Sequence, residues 1–168
     1  MVRTICNLCG KKDFLATLNR KDLVTCRKCG LVFFLKQPEK KELVKLYNKE
    51  IFSPAKYYKK LENSDRKNFI FVFNKINMYK NSGKLLDIGC STGTFLNLAK
   101  RAGWNVYGLE INKTSFEECR KKNLDVKNST LERGSYEDGF FDWIHMGDVI
   151  EHVKDPQNFL KIANKKLK

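Results

Sequence analysis

LLDIGCSTGTFL, residues 85–96, is the stretch that decides the fold. Leu85, Leu86 and Ile88 form a short apolar run interrupted by one acid, Asp87. Gly89, Cys90, Ser91, Thr92 and Gly93 follow, all small, and then a second apolar run begins. A short apolar run bounded by glycine reads as a buried strand. TFLNLAKRAG (94–103) reads as a helix with Phe95, Leu96, Leu98, Ala99 and Ala102 on its buried side and Gly103 as its stop. A bare loop between a strand and a helix lets backbone N–H groups approach a ligand closely.

Downstream the pattern repeats. WNVYGLE (104–110) is a second strand that ends in an acid, and NKTSFEECRKKN (112–123) is a second helix with Asn112 as its cap. LDVK (124–127) is a third strand, FFDWIHMG (140–147) a fourth, and DPQNFLKIANKKLK (155–168) a final helix entered through Asp155-Pro156. Strands alternating with helices predict an α/β fold, a doubly wound parallel sheet of the Rossmann-like kind. Ligands on such sheets sit at the carboxyl ends of the strands.

The loop does not match the dinucleotide pattern G-x-G-x-x-G. The three positions read Gly89, Ser91 and Thr94, and Gly93 comes one residue early. Glu110 can accept hydrogen bonds from both ribose hydroxyls of a nucleoside cofactor, and it argues against a 2′-phosphate. Nicotinamide chemistry is disfavoured by the missing glycine.

Upstream lies a different kind of signal. Cys6-x-x-Cys9 and Cys26-x-x-Cys29 are separated by 16 residues, and each pair is followed by glycine. This is the spacing of a tetrahedral four-cysteine zinc site, with each glycine permitting the knuckle turn. A redox iron site shares such knuckles, and a disulfide framework does not suit a cytoplasmic protein. FLATL, a turn at NRKD and LVTC form a hairpin between the knuckles, and GLVFFL (30–35) continues the ribbon. All four positions are filled by protein, so the zinc is expected to be structural and to supply the folding energy of a segment too small for its own core. The expected divisions are a zinc ribbon over 1–36, a helical connector over 37–82 and an incomplete Rossmann-like domain over 83–168. Within the connector, EKKELVKLYNKE reads as a short helix, SPAKYYKKLE as a helix entry, and DRKNFIFVFNKINMYK (65–80) as a helix packed on the sheet, with Tyr57 and Tyr58 open to covering a ligand ring.

The net charge of +14 is uneven. Residues 1–82 carry 19 Lys and Arg against 7 Asp and Glu, and residues 83–168 carry 14 against 12. A basic front half suits an acidic partner such as nucleic acid. Of the 33 basic residues only 7 are Arg, which favours a solvated Lys-rich surface instead. No apolar run is long enough to cross a membrane as a helix, and the start MVRTICNLCGKK lacks the apolar core of a signal peptide, so the expectation is cytoplasmic.

Taken together these residues resemble a family. LLDIGCSTGTFL resembles the first motif of class I S-adenosylmethionine-dependent methyltransferases, VYGLEIN the acid-ended second strand, and GSYEDGFFDWIHMGDVIEHVKDP the fourth-strand region. The stretch CNLCG through ELVKLYNKE is similar to the zinc ribbon and helix that precede a subgroup of these enzymes, whose members often modify sugars or cell-surface glycans. The resemblance implies that Gly89, Cys90, Ser91 and Gly93 line the methionine and ribose side of S-adenosylmethionine. Asp87 would steady the loop or reach the cofactor's amino group through water. Glu110 would hold the ribose, Ile111 would lie against the adenine, Thr130 and Leu131 would lie beside it, and Met146 and Gly147 would lie near the transferred methyl.

Methyl transfer from a sulfonium is an in-line displacement, and the protein has to align the acceptor and accept its proton. His152 and Glu151, just after the fourth strand, are the candidates for the base, with bracing of the short DVIEHV helix as the alternative. Cys90 and Cys119 read as packed residues and Asp142 as a structural anchor. The Asp/Asn-Pro-Pro-Tyr and Pro-Cys motifs of base-modifying relatives are absent, which turns the expectation toward a small molecule or a sugar or glycan precursor. RNA methylation and a non-catalytic zinc and cofactor module are the alternatives. The family's sheet has seven strands and this chain supplies the first four. The expectation is therefore an N-terminal portion of a longer enzyme, with the fourth strand an exposed edge for a partner to cover.

Overall fold

The computed structural model describes residues 5–17, 20–35 and 54–168, with side chains 20, 21 and 54–66 outside that description. The chain divides into two compact units. Residues 5–35 belong to the first. Nearly all of 54–168 belongs to the second.

The first unit is a three-stranded antiparallel sheet of β1 (Phe14–Thr17), β2 (Arg20–Cys26) and β3 (Val32–Phe34), in the order β1-β2-β3. β2 begins at Arg20, three residues before the LVTC of the sequence reading. Two equivalent knuckles flank the hairpin. Gly10 N–H donates to Cys6 O and Gly30 N–H to Cys26 O, both at 2.9 Å. Both glycines have positive φ, +71° and +75°, which only glycine adopts readily. Cys6, Val24, Cys26 and Phe33 form the small buried core, with Phe14 edge-on to Phe33 at 5.2 Å.

The second unit opens with α1 (Pro54–Tyr79), one continuous helix where the sequence reading had two. No proline or glycine interrupts it after Pro54. The predicted helix over EKKELVKLYNKE lies outside the described residues, as do the side chains of Tyr57 and Tyr58. Phe69, Val72, Phe73 and Ile76 fall at i, i+3, i+4 and i+7 and pack on the sheet. Burying Phe73 and Ile76 contributes about 1.5–3 kcal/mol each. The sheet comprises β4 (Lys84–Ile88), β5 (Asn105–Leu109), β6 (Asp125–Lys127) and β7 (Trp143–His145). All three pairings are parallel and the order is β6-β5-β4-β7, the doubly wound arrangement expected.

Alternation along β4 distributes its side chains to two cores. Leu85 joins α1, α2 (Thr94–Arg101) and α3 (Lys113–Lys121) on one face. Leu86 and Ile88 join Phe141 and α4 (Pro156–Lys166) on the other. Asp87 therefore points to the α1 and α2 face, and its register partner on β7, His145, points the same way. In α2, Phe95, Leu96 and Ala99 are buried as expected, whereas Ala102 is exposed because it caps the helix rather than lying within it.

Asp142 is an anchor, as the sequence suggested. Its carboxylate accepts from Lys84 N–H at 2.8 Å, Lys80 Nζ at 2.7 Å and Lys168 Nζ at 2.9 Å. It thereby ties the end of α1 and the end of the chain to the starts of β4 and β7. Phe141, just before β7, bridges in parallel to Leu167. Among the described residues, no strand pairs with the free side of Trp143–His145.

Candidate functional site

The ribbon carries a candidate metal centre. Cys6, Cys9, Cys26 and Cys29 place their sulfur atoms within 4.8 Å of one another. The pairs Cys6 with Cys29 and Cys9 with Cys26 are 3.6 and 3.5 Å apart. Four sulfurs at about 2.3 Å from one zinc ion would stand at about this mutual spacing. The donor set fits zinc: soft, all-sulfur and four in number.

The second site forms at the carboxyl ends of β4, β5 and β7. Glu110, directly after β5, is 7% exposed, and its carboxylate is spent on backbone. Oε2 accepts Ser91 N–H at 2.8 Å and Oε1 accepts Asn112 N–H at 2.6 Å. Burial pushes the Glu110 acid up from its ordinary range, and the N–H groups of Asn112, Ser91 and Ile111 oppose that. Asn112 then caps α3 by accepting Ser115 N–H at 2.9 Å, as expected. A carboxylate has about four acceptor directions, so these backbone donors do not exhaust it.

The loop before α2 holds three closely spaced constraints. Gly89, Ser91 and Gly93 all have positive φ: +72°, +48° and +79°. A Cβ on Gly89 would lie 2.7 Å from Val149 Cγ2, so a larger residue there has to displace Val149 as well as adopt a positive φ. Ser91 Oγ is buried without a hydrogen-bond partner. A bare, positively curved loop with an orphaned hydroxyl beside a ribose-type acid fits a nucleoside cofactor. Cys90 is buried, and the neighbouring Cys119 thiol together with that burial pushes its thiol up.

A cleft opens against this loop. Phe69, Asp87, Gly89, Ser91, His145 and Asp148 are among the residues that line it. His145 escaped the sequence reading. Its Nδ1 lies 2.7 Å from Asp87 Oδ1, and the two side chains are 15% and 5% exposed. Burial raises the Asp87 acid, while the His145 hydrogen bond and charge pull it back. The only sequence signal for His145 was its place at the end of the fourth strand.

Not every candidate lines the cleft. Gly147 does, beside Asp148. Met146 turns its side chain to the other face and packs with Leu86 and Phe141. Leu131 is 3% exposed within that same core, Thr130 is exposed, and Ile111 is 67% exposed at the rim of β5. Glu151 and His152 occupy an exposed 3-10 turn, Ile150–His152, and neither is among the residues that line the cleft.

The comparisons with known proteins agree with this geometry. A family model described as a methyltransferase domain matches residues 55–168. The ubiquinone biosynthesis O-methyltransferase, mitochondrial, of Schizosaccharomyces pombe is 33% identical over 117 residues, covering 64% of this chain and 42% of that protein. The ubiquinone biosynthesis O-methyltransferase of Caulobacter vibrioides is 35% identical over 91 residues, covering 50% of this chain and 36% of that one. Among solved structures, a SAM-dependent methyltransferase from Archaeoglobus fulgidus superposes with a TM-score of 0.57 at 27% identity, over 67% of this chain and 52% of that one. The chain thus spans about two fifths of the length of these curated relatives and about half that of the solved structure. With a match covering more than half of its residues and a site shaped for a nucleoside cofactor, this chain belongs to the class I S-adenosylmethionine-dependent methyltransferases.

Proposed function

We propose that this chain binds the cofactor for a methyl transfer to a hydroxyl group of a small molecule. The observation that carries the reading is the Glu110 brace: an acid at the end of β5 that holds the glycine loop of β4 in place by Ser91 N–H. The oxygen acceptor is supported by relatives whose names give them as O-methyltransferases of ubiquinone biosynthesis. A sugar or glycan precursor is a narrower choice within the same class, and only the ribbon's resemblance to glycan-modifying relatives favours it. RNA, reached through the basic zinc ribbon, is the alternative, with the charge of the front half in its support.

S-adenosylmethionine, when bound, supplies a methyl group activated by its sulfonium for in-line displacement. The protein's residues do the rest. Glu110 accepts the ribose hydroxyls on its remaining lone pairs. Gly89 and Gly93 keep the loop bare, so that its backbone N–H groups face the ligand. Ile111, with Thr130 and the backbone at Leu131, borders the adenine side, and Gly147, with the backbone at Met146, borders the methyl. His152 and Glu151 are the proton acceptors of this reading, on the turn that follows β7. In the ribbon, Cys6, Cys9, Cys26 and Cys29 hold one structural zinc ion. Among the described residues no helix is long and apolar enough to cross a membrane.

The test is to incubate the chain with methyl-labelled S-adenosylmethionine and separate pools of hydroxylated small molecules, sugar nucleotides and RNA. Label in either small-molecule pool supports the reading. Label in RNA alone contradicts it.

A further inference from the structure

We propose that His145 is a cofactor-binding residue, its Nε2 accepting a hydrogen bond from the ammonium group of the cofactor's amino-acid end, with Asp87 positioning it from behind. This rests on the methyltransferase reading and deepens it, because the family resemblance points to Asp87 itself and to nothing on β7 before Met146.

The geometry separates the two side chains into a buried member and a presented one. Asp87 is 3% exposed, and its Oδ1 lies 2.7 Å from His145 Nδ1. A carboxylate oxygen accepts, so Nδ1 is the donor of this pair, and Nε2 is the acceptor of the tautomer that it sets. Nε2 has no hydrogen-bond partner among the described residues, and the ring lines the cleft. The ring cannot swing away. Phe95 lies against its face with centroids 4.1 Å apart and planes 33° apart, and Phe69 of α1 meets it edge-on at 6.4 Å. The next residue but one in the chain is glycine for a steric reason. A Cβ on Gly147 would sit 3.2 Å from Nε2 and 3.0 Å from Cε1, crowding the atom that is presented.

Position and charge then select the ligand atom. A cofactor with its ribose at Glu110 on β5 passes over the Gly89 loop of β4 and reaches β7 last, which leaves its amino-acid end beside His145. The charged groups facing the ring are acidic: Asp87 behind it, Asp148 across the same cleft, and Glu110 beyond the loop. No Lys or Arg lines the cleft among the described residues. The acidic surroundings themselves favour an ammonium over a carboxylate, and Nε2 is the atom presented to it. A purely structural brace between β4 and β7 would be indifferent to either.

Calorimetry on the full, zinc-loaded chain separates these roles. The probes are S-adenosylhomocysteine, which has the amino-acid end, and 5′-methylthioadenosine, which lacks it. Wild type is expected to bind S-adenosylhomocysteine more tightly than methylthioadenosine. His145→Phe is expected to cost S-adenosylhomocysteine about tenfold and to spare methylthioadenosine. His145→Phe weakening both ligands equally, or leaving S-adenosylhomocysteine unchanged, overturns the proposal. Wild type binding neither ligand overturns the methyltransferase reading, and the proposal with it. Should the variant fold poorly, nitrogen-15 spectra of the wild type decide, since the chain has only two histidines. S-adenosylhomocysteine has to move the Nε2 resonance of His145 where methylthioadenosine does not, and equal shifts sink the idea.

Discussion

Ser91 N–H donates to Glu110 Oε2 at 2.8 Å, so the acid that ends one strand fixes the loop that ends its neighbour. Both partners of the brace belong to the protein, so it needs no ligand atom to form. A loop braced in this way has less order to gain on binding. It also gives Glu110 two duties, and a substitution there removes both.

A side chain at the loop's first glycine is strained twice over. Gly89→Ala places a Cβ at a φ of +72° and drives it toward Val149 Cγ2. The left-handed backbone alone costs about 1–2 kcal/mol. The expected result is a lower melting temperature together with loss of S-adenosylhomocysteine binding by calorimetry. Wild-type affinity in Gly89→Ala would contradict the loop's role.

Asp142 should make stability acid-sensitive. Lys80, the Lys84 N–H and Lys168 hold its carboxyl below the usual carboxylate range. A folded-state pKa below the unfolded value gives stability that is present above about pH 4 and is lost as pH falls toward the folded value. Asp142→Ala is expected to cost about 1–3 kcal/mol at pH 7, because Lys84 N–H loses its partner. It should also flatten the acid limb of a urea-denaturation series taken from about pH 6 to about pH 2.5. An unchanged acid limb would show that other carboxylates set it.

Asp87 works in the opposite direction. Burial raises its pKa in the folded chain, so its ionisation weighs against folding above that value and is relieved as pH falls through it. Asp87→Asn keeps an acceptor for His145 Nδ1–H and removes the buried charge. The ligand-free protein is therefore expected to be as stable as wild type at pH 7, or more so, in thermal unfolding. A loss of more than about 2 kcal/mol would show that the Asp87 charge itself holds β4 to β7.

The ribbon should depend on its metal. Residues this few cannot bury enough core unaided, and the four clustered sulfurs repel once ionised without an ion between them. One zinc per chain is expected by elemental analysis. Chelation is expected to abolish amide protection in β1–β3 and leave that of β4 and β5 in place. Protection of the ribbon surviving chelation would rule out a folding role for zinc.

Much of this was written in local spacing. The two Cys-x-x-Cys pairs, the glycines after them and the run from Leu85 to Leu96 act over a few residues each, so periodicity and turn chemistry disclose them. Asn112 as a cap and Asp142 as an anchor were legible for the same reason, the second because an acid at a strand entrance needs partners. His145 was not legible. Its meaning depends on a register that pairs it with Asp87, 58 residues earlier, and on two phenylalanines from different helices. Within FFDWIHMG it reads as one more half-buried strand residue. Met146 shows the same limit from the other side. A strand alternates, so placing His145 toward the cleft sends the Met146 side chain into the opposite core.

The most direct measurement is a calorimetric titration of the zinc-loaded chain with S-adenosylhomocysteine, repeated on Glu110→Ala. Saturable one-to-one binding by the wild type and its loss in the variant are expected, since the acid both receives the ribose and holds Ser91. A folded wild type that does not bind, or a Glu110→Ala that binds as well as wild type, would contradict that expectation.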